Sequence, residues 1–446
     1  MMKHIVILGG GESGVGAALL AQRAGYHVFL SDAGTIQAQW KDELTVHGVA
    51  FEEGGHTPEK VLNAAIVVKS PGIPKEVPMM QQILSRGIEV ISEIEFAYRH
   101  AGNSTIVAIT GSNGKTTTTT LIYHICKHAG LDCALVGNVG YSFARQVAMD
   151  PKPLYVAEVS SFQLDDISTF RPHIAVLTNI SDDHLDRYDY DPQKYIKSKF
   201  NIAKYQHADD VFIYNLDDEA ILKNLNNYPI QSTKAPFTMA KELPQGAYLL
   251  NAKMHLKWKN EEMKMSIEDF AIKGKHNQYN SMAASLAATA LDIRKEKIRE
   301  ALQTFESLEH RMEPSGIVKG VEFINDSKAT NVNSTWYALE SMTKPVILIL
   351  GGVDKGNDYS VLKDLVKEKV KAIVCMGTDN RKIHEAFGDI VSLMVNTGNA
   401  AEAVQAAFHF SNKGDVVLLS PACASFDLFK NYEDRGNQFK QAVRNL

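Results

Sequence analysis

The feature that most constrains this chain is a glycine-rich turn between a predicted strand and a predicted helix. The β-branched run Thr105-Ile-Val-Ala-Ile109 leads into Gly111-Ser-Asn-Gly-Lys-Thr116, and a polar, then apolar helical stretch follows. Backbone N–H groups at such a turn and at a helix N-terminus oppose the charge of a nucleotide phosphate. The order strand, turn, helix therefore predicts an α/β domain that binds a nucleoside triphosphate.

Two side chains of this turn have expected roles. Lys115 would place a positive charge on the outer phosphates, and Thr116 would offer a hydroxyl to magnesium. The strict motif has a glycine where Ile109 stands, so the glycines here are Gly111 and Gly114. The alternative, a turn that only connects a strand and a helix, is disfavoured because lysine, threonine and helix follow in the required order.

Length and composition limit what surrounds this turn. A chain of 446 residues exceeds what one hydrophobic core usually supports, so three domains are expected. A net charge of −5 argues against an electrostatic nucleic-acid binder. Uncharged stretches are too short to span a bilayer, and the first residues reach glycines too early for a signal peptide, so we expect a cytoplasmic protein without membrane insertion. The 4 cysteines form no Cys-x-x-Cys pair, which favours reduced thiols.

Short apolar strands alternate with helical stretches, and the alternation restarts three times. This pattern predicts an α/β fold with largely parallel sheets, in domains at residues 1–95, 96–308 and 309–446. The predicted strands are His4–Leu8, Tyr26–Leu30 and Ala65–Lys69 in the first domain, Thr105–Ile109, Leu154–Glu158, His173–Leu177 and Val211–Tyr214 in the second, and Val321–Ile324, Val346–Leu350, Ala372–Met376 and Val416–Leu419 in the third.

The first domain has its own glycine-rich turn, from Gly9 to Gly14, directly after its first strand. Asp32 follows the second strand, as in dinucleotide-binding folds. A nicotinamide-dependent oxidoreductase would use this turn but would leave the second phosphate turn without a role. We therefore expect the first domain to hold the diphosphate of a nucleotide-linked substrate, through Gly11, Ser13, Gly14 and Asp32.

A second turn of the first domain, Ser70-Pro-Gly-Ile73, follows the third predicted strand. Ligands of open α/β sheets bind at the carboxyl ends of the strands, so Ser70 and Gly72 would line the same crevice. An ordinary connecting turn is equally compatible with this local sequence.

Two polar segments follow strands of the second domain. Glu158 ends an apolar strand, where active-site residues of parallel sheets collect, and a carboxylate there suits magnesium. The segment Asn179-Ile-Ser-Asp-Asp-His-Leu-Asp-Arg187 also begins just past a strand. Its aspartates are equally compatible with a solvated loop and a helix cap, whereas His184 is a candidate metal or substrate contact.

A further helix is predicted to begin at Asp191-Pro192, because aspartate is a good N-cap and proline fits the first turn. Ile196, Lys199, Phe200 and Ala203 recur at helical spacing, so Lys199 lies on the apolar face. For a lone lysine we expect the stem to pack there while the ammonium reaches water. If the amine is buried instead, its pKa falls, and the neutral amine could react with carbon dioxide to give a carbamate, which is an oxygen ligand.

Together these motifs resemble the Mur ligases, a family of ATP-dependent amino-acid-adding enzymes, over nearly the whole chain. The matching segments are Gly111–Thr116, with Ser112 where threonine is usual, Gly137–Gly140, Glu158, His184, Lys199, Gly274–Asn280 and His310-Arg311. The resemblance implies a Rossmann-like N-terminal domain, a central ATP-binding domain with a mostly parallel sheet, and a Rossmann-like C-terminal domain. It also implies a carbamate on Lys199, which reverses the expectation of a solvent-exposed ammonium.

Three segments of the third domain resemble the D-glutamate-adding members of this family: Asn325–Asn331, Gly351–Lys355 and Ser420–Gly436. Without the family, the first is compatible with a capped turn and the last with a strand-to-helix connection. The resemblance implies that ATP activates the carboxylate of UDP-N-acetylmuramoyl-L-alanine as an acyl phosphate, which D-glutamate then attacks, in peptidoglycan precursor synthesis.

The resemblance also implies roles for individual residues. The ATP site would comprise Gly111, Ser112, Asn113, Gly114, Lys115, Thr116, Thr117, Asn277, Asn280, Arg311 and Asp326. Two magnesium ions would be held by Thr116, Glu158, His184 and carbamylated Lys199. Asn138 would orient the acyl end of the UDP-linked substrate and would act in catalysis with Lys115, His184 and Lys199. The D-glutamate site would comprise Lys328, Thr330, Lys355, Ser425, Phe426 and Tyr432, with Lys328 serving either the amino acid or phosphate.

Other functions remain open at this point. A phosphate-loop ATPase acting as a switch or motor and a nicotinamide oxidoreductase both leave the third domain without a role. Within the family, the alternative is the L-alanine-adding ligase, whose first domain is also Rossmann-like. We expect a monomer in which domain closure assembles the site and excludes water.

Overall fold

A computed structural model describes residues 3–181, 185–306, 309–354 and 356–446. In this part of the chain, helices flank three β-sheets. The chain divides into two compact units, one of Met1–Phe270 and Asn277–Phe305 and one of Ala271–His276 and Glu306–Leu446. The first two sheets belong to the first unit and the third sheet to the second unit. The three domain boundaries drawn from the sequence stay predictions.

The first sheet is entirely parallel, with the strand order β3-β2-β1-β4-β5. This is the Rossmann-like arrangement that was predicted, and its order reverses between β1 and β4. The short strand β3 was not predicted. Its elements are β1 (His4–Leu8), α1 (Glu12–Arg23), β2 (His27–Ser31), α2 (Ala38–Val46), β3 (Ala50–Glu52), α3 (Pro58–Val61), β4 (Ile66–Lys69), α4 (Pro78–Ser85), β5 (Glu89–Ser92) and α5 (Glu93–His100).

The second sheet has the order β14-β13-β12-β11-β10-β9-β6-β8-β7, and only its β12–β14 end is antiparallel. Its strands are β6 (Thr105–Thr110), β7 (Cys133–Gly137), β8 (Leu154–Glu158), β9 (Ile174–Leu177), β10 (Val211–Asn215), β11 (Thr233–Thr238), β12 (Gly246–Leu250), β13 (Lys253–Trp258) and β14 (Glu261–Ser266). The accompanying helices are α6 (Lys115–His128), α7 (Phe143–Met149), α8 (Ser161–Leu164), α9 (Pro192–Phe200), α10 (Glu219–Asn224), α11 (Lys275–Ala290) and α12 (Lys295–Thr304).

The third sheet has the order β15-β16-β20-β17-β18-β19 and is parallel except for β15. Its strands are β15 (Glu313–Val318), β16 (Val321–Asn325), β17 (Val346–Leu350), β18 (Val370–Met376), β19 (Met394–Thr397) and β20 (Val416–Leu419). The helices are α13 (Val332–Glu340), α14 (Lys363–Lys369), α15 (Arg381–Phe387), α16 (Ala400–Phe410) and α17 (Tyr432–Arg444). Every residue of β17 is buried, as expected for a strand covered by helices on both faces.

The first and second sheets share one continuous apolar core, which runs from β1 and α1 through α7 to β10. Buried polar contacts reinforce this junction. The carboxylate of Glu95 accepts hydrogen bonds from the backbone N–H groups of Ser168, Thr169 and Phe170 at 2.8 to 3.0 Å. These contacts join the start of α5, which follows β5 of the first sheet, to the segment that precedes β9 of the second sheet, within one unit.

None of the helices in the described part of the chain is long and apolar enough to cross a lipid bilayer.

Candidate functional site

The predicted phosphate turn lies between β6 and α6. Gly114 is the N-cap of α6 and has a φ of 78°, in the left-handed region that favours glycine. A Cβ at this position would lie 2.5 Å from Oδ1 of Asn280, so the packing also requires glycine. The 14-residue helix α6 thus begins at this turn and offers it the positive end of its dipole.

Residues that follow β9 hold the phosphate turn in place. The side chain of Asn179 accepts from Asn113 N at 2.8 Å and donates to Asn113 O at 2.9 Å. The hydroxyl of Ser112 donates to Ser181 O at 2.9 Å and lies 3.0 Å from the hydroxyl of Tyr195. Asn179 and Ser181 had no predicted role, although both follow β9 at the same edge of the sheet.

Two lysine side chains meet the carbonyl oxygen of Gly111. Nζ of Lys115 lies 2.8 Å from Gly111 O and 2.8 Å from Ser112 O. Nζ of Lys199 lies 2.8 Å from Gly111 O and 3.3 Å from Thr110 Oγ1. Two lysine amines thus lie at the phosphate turn, and positive charge there favours bound phosphate.

Lys199 is 2% exposed, so the expectation that its ammonium reaches water is wrong. The helix α9 begins as predicted, with Asp191 as N-cap accepting from Gln193 N at 2.9 Å. Its buried face packs against the carboxyl end of β6, and Nζ lies 5.1 Å from the ring centroid of Tyr195. The amine is thus enclosed on the apolar side of the helix instead of extending past it.

Glu158 ends β8 as predicted and is 2% exposed. Its Oε1 accepts from Nδ2 of Asn138 at 3.0 Å, and its carbonyl accepts from Asn138 N at 2.9 Å. Since β8 pairs with β6, Glu158 lies beside the phosphate turn, where Thr116 occupies the buried first turn of α6. These oxygen donors fit magnesium, which prefers hard ligands and usually completes its shell with phosphate and water.

His184 and Lys355 lie outside the described residues, so their predicted roles stay predictions. Within the described residues, no group of three or more histidine, cysteine, aspartate and glutamate side chains could hold a metal ion. Thr116, Glu158 and Lys199 are the described residues of the predicted magnesium site, and their metal-binding roles stay predictions.

Asn277 and Asn280 lie one helical turn apart on α11. Nδ2 of Asn280 donates to Asn277 Oδ1 at 3.1 Å, and Oδ1 of Asn280 accepts from Thr118 Oγ1 at 3.2 Å. The side chain of Asn280 therefore contacts the first turn of α6. The predicted adenine contacts of this pair, and the ATP contact of Thr117 in α6, stay predictions.

The glycine-rich turn of the first domain joins β1 to α1, and Gly11 is the N-cap of α1. A Cβ on Gly14 would overlap the carbonyl oxygen of Gly9, so the close approach of helix and turn requires glycine at 14. Ser13 lies in the first turn of α1 and is partly exposed. This is the strand, turn and helix geometry that the sequence predicted for the diphosphate.

Both carboxylate oxygens of Asp32 accept backbone hydrogen bonds, one of them from the glycine-rich turn. Oδ2 accepts from Gly10 N at 2.5 Å, and Oδ1 accepts from Gly34 N at 2.7 Å. The predicted contact of Asp32 with the substrate stays a prediction, but the structure gives Asp32 a positioning role in the turn.

The turn Ser70–Ile73 follows β4 and is closed by a hydrogen bond from Ile73 N to Ser70 O at 3.1 Å. The side chain of Ser70 packs directly against Gly9, where an added Cβ would lie 2.8 Å from Cβ of Ser70. The carbonyl oxygen of Gly72 lies 3.4 Å from Nη1 of Arg187. The two turns of the first domain therefore meet, which supports the shared crevice predicted for Ser70 and Gly72.

In the second unit, Asp326 follows β16 and is buried. Burial raises the pKa of this carboxyl group to about 7, although the charges of Arg311 and Arg435 oppose that shift. Its oxygens accept from Ser420 Oγ at 3.0 Å and from Met312 N at 3.3 Å. Arg311 and Asp326, both predicted to bind ATP, are therefore close neighbours.

The predicted D-glutamate residues of the second unit lie on connected loops. Nζ of Lys328 lies 5.1 Å from the ring centroid of Tyr432, at the start of α17. Thr330 is two residues further along the Lys328 segment and is partly buried. Ser425 is buried, whereas Phe426 is 72% exposed and available for a ligand.

Two contacts hold these loops together. Val353 and Ala424 exchange backbone hydrogen bonds at 2.8 and 3.2 Å, which joins the loop after β17 to the loop after β20. The buried guanidinium of Arg435 donates to Ser327 O at 2.7 Å and to Cys423 O at 3.2 Å. Three segments that the sequence assigned to one amino-acid site thus form one cluster.

Family profiles match three successive parts of the chain. The Mur ligase middle domain matches residues 109–288, and the Mur ligase glutamate ligase domain matches residues 310–423. A profile described as the MurD N-terminal domain matches residues 4–79.

Named relatives align over the full length. The UDP-N-acetylmuramoylalanine–D-glutamate ligase of Christiangramia forsetii is 52% identical over 446 residues and covers 100% of both chains. The enzyme of the same name from Porphyromonas gingivalis is 51% identical, covering 99% of this chain and 98% of the relative. Salinibacter ruber has another, 41% identical, covering 99% and 97%.

Solved structures share the fold at lower identity. The UDP-N-acetylmuramate–alanine ligase MurC of Thermotoga maritima superposes with a TM-score of 0.63 at 16% identity, covering 100% of both chains. The pseudomurein peptide ligase type C of Methanothermus fervidus gives 0.61 at 20% identity, covering 99% of each. These likenesses confirm the predicted three-domain α/β architecture.

Proposed function

Because the chain belongs to the Mur ligase family, we propose that it joins D-glutamate to the L-alanyl carboxylate of UDP-N-acetylmuramoyl-L-alanine at the expense of ATP. ADP, phosphate and the extended peptidoglycan precursor are the products. The observation that carries this proposal is the assembly of Lys115, Lys199 and Glu158 around the phosphate turn, in a chain that matches D-glutamate ligases from end to end.

Amide formation needs an activated acid, because a carboxylate is a poor electrophile and oxide is a poor leaving group. A carboxylate oxygen of the L-alanyl group attacks the γ-phosphorus of ATP, and ADP leaves. The amine of D-glutamate then attacks the acyl carbon, phosphate leaves and the nitrogen loses its proton. The first step builds negative charge on the leaving ADP and the second on the acyl oxygen and the leaving phosphate, so fixed cations lower both barriers.

Lys115 supplies a fixed charge beside the phosphates and already lies against the turn. Asn138, whose side chain donates to Glu158, would orient the acyl carboxylate. Thr116 and Glu158 would hold one magnesium ion, and His184 with carbamylated Lys199 would hold a second. Magnesium supplies charge neutralisation at the transferred phosphoryl group.

The burial of Lys199 supports a carbamate there. An enclosed amine is more easily neutral than an exposed one, and a neutral amine can add to carbon dioxide with loss of a proton. The modification would turn a cation beside Gly111 into an oxygen ligand.

The remaining binding roles follow the domains at 1–95, 96–308 and 309–446. The first would bind the uridine diphosphate part through Gly11, Ser13, Gly14, Asp32, Ser70 and Gly72. The second would bind ATP, together with Asn277 and Asn280, and with Arg311 and Asp326 of the third. The third would bind D-glutamate through Lys328, Thr330, Lys355, Ser425, Phe426 and Tyr432. We place the reaction in the cytoplasm, where ATP is available, and assign it to a monomer.

The test is phosphate release by the purified full chain with ATP, magnesium and UDP-N-acetylmuramoyl-L-alanine, across a panel of amino acids. We expect release with D-glutamate and little with L-glutamate or L-alanine, with the product mass increased by one glutamyl residue. Activity with L-alanine on UDP-N-acetylmuramate, and none with D-glutamate, would identify the chain as an L-alanine-adding ligase instead. Release that needs no amino acid would indicate an ATPase.

A further inference from the structure

Arg187 is an exposed cation to which the proposed function gives no role. Its guanidinium carbon lies 4.8 Å from the ring centroid of Phe162, which follows β8 of the second sheet. Its Nη1 lies 3.4 Å from the carbonyl oxygen of Gly72, in the turn after β4 of the first sheet. Arg187 therefore bridges the carboxyl edges of the two sheets inside one unit.

The crevice next to Arg187 has carboxylates beside it that would repel a diphosphate. The glycine-rich turn that would hold a diphosphate is flanked by two carboxylates, those of Asp32 and Glu12. Asp32 accepts two backbone N–H groups of that region, which are then less able to serve a phosphate. A nucleoside diphosphate would bring further negative charge, so tight binding requires a cation from outside the turn.

Nearby cations already have carboxylate partners. Arg145 is paired with two glutamates, and Lys69 and Lys75 both contact the carboxylate of Asp166, at 3.1 and 2.8 Å. Among the residues that the structure describes, no carboxylate forms an ion pair with Arg187. Its charge is therefore not matched by any carboxylate of the described residues.

The position of Arg187 suits a diphosphate. The turn it touches also carries Ser70, whose side chain packs on Gly9 of the glycine-rich turn. The flat face of the guanidinium lies over Phe162 and Nη1 donates to Gly72 O, which leaves the N–H groups of Nη2 and Nε to donate two parallel hydrogen bonds to phosphate oxygens.

We propose that Arg187 is the cation that binds the diphosphate of the nucleotide-linked substrate, reaching it from the second sheet. This role rests on the proposed function, which supplies the diphosphate. Arg187 contributes to substrate affinity and does not touch the reacting carboxylate, so its loss changes KM and leaves kcat nearly constant.

The test compares Arg187→Ala with wild type by calorimetric titration of UDP-N-acetylmuramoyl-L-alanine, UDP and ATP. We expect the Kd values of both uridine ligands to rise by about 10- to 100-fold, the range for a lost charged hydrogen bond, while that of ATP stays within twofold. Arg187→Lys should give an intermediate loss, because lysine keeps the charge but not the stacked, two-pronged geometry.

The matched control is Arg86→Ala, which removes an exposed arginine of the first sheet just before β5, at the amino ends of the strands. It should leave all three Kd values unchanged. Unchanged affinity of Arg187→Ala for both uridine ligands overturns the role. Weaker binding of the substrate but not of UDP also overturns it, because Arg187 would then act on the sugar or peptide. If wild type itself binds neither uridine ligand, the proposed function fails, and this role fails with it.

Discussion

The chain contains two glycine-rich turns that each join a strand to a helix, one after β1 and one after β6, and the side chains around them differ in charge. Lys115 and Lys199 both meet the second turn, and Glu158 lies beside it. At the first turn, Asp32 instead accepts a hydrogen bond from Gly10 N, and Arg145 pairs with Glu12 at the start of α1 and with Glu43. Under the proposed function, we infer that the second turn takes part in phosphoryl transfer and the first turn in binding alone.

The largest expected effect comes from Lys115→Ala, which removes the Lys115 ammonium from the glycine-rich turn after β6. Turnover should fall by about 10³ or more, the range seen when a group that stabilises transition-state charge is lost. The Kd of UDP-N-acetylmuramoyl-L-alanine, measured by titration, should stay within twofold of wild type. A parallel loss of that affinity would show that the two turns are not separate sites.

Lys199→Ala should lower kcat by about 10² to 10³, because the buried group next to Gly111 would no longer stabilise charge. Short carboxylates added to the assay should restore part of the activity if a carbamate is the working form. The control is Lys197→Ala, an exposed lysine of the same helix, which should behave as wild type. Full activity of Lys199→Ala would contradict the carbamate.

Asp32→Ala should raise the KM for UDP-N-acetylmuramoyl-L-alanine about tenfold and leave the KM for ATP unchanged. The reason is that Gly10 N and Gly34 N lose the acceptors that shape the first turn. Steady-state kinetics with each substrate varied in turn will measure both constants. A selective rise in the KM for ATP would reverse our assignment of the two turns.

The smallest effect concerns stability at the junction of the first two sheets. Burial raises the pKa of Glu93 from 4.5 to about 7, and its Oε1 accepts from Ala144 N at 2.5 Å. Folding therefore favours the protonated carboxyl, so its contribution to stability is full below pH 4.5 and is lost as pH rises to about 7. Glu93→Gln cannot ionise and should gain unfolding free energy relative to wild type between pH 5 and pH 8, by chemical denaturation. The exposed Glu59→Gln is the control, and an equal pH response of the two variants would contradict the shift.

Much of the fold could be predicted because buried parallel strands have a clear signature in sequence. Continuous apolar runs such as that of β17 identified the central strands. The hairpin β12–β13 was missed because Asn251-Ala252 forms its turn with positive φ at both residues, and Asn-Ala lacks the glycine that usually signals such a turn. Strand β3 was too short to show a pattern.

The residues of the candidate site were likewise only partly predictable from sequence. Lys115 and Glu158 were predictable because each follows from its place at the end of a strand or turn. The anchors Asn179 and Ser181 were not, since their hydrogen bonds to the phosphate turn join residues more than 60 positions apart. The burial of Lys199 could be inferred only from the family, because spacing on a helix does not say how deep the neighbouring sheet encloses it.

The shared core of the first two sheets has a consequence for which nucleotide-linked substrates the chain would use. Because the two sheets share an apolar core and Glu95 accepts from three backbone N–H groups of Ser168–Phe170, we expect the two glycine-rich turns to keep a constant separation when ligands bind. If the proposed function holds, we expect a nucleotide-linked substrate whose carboxylate lies one residue closer to its nucleotide, or one residue farther from it, to bind without placing that carboxylate at the turn after β6.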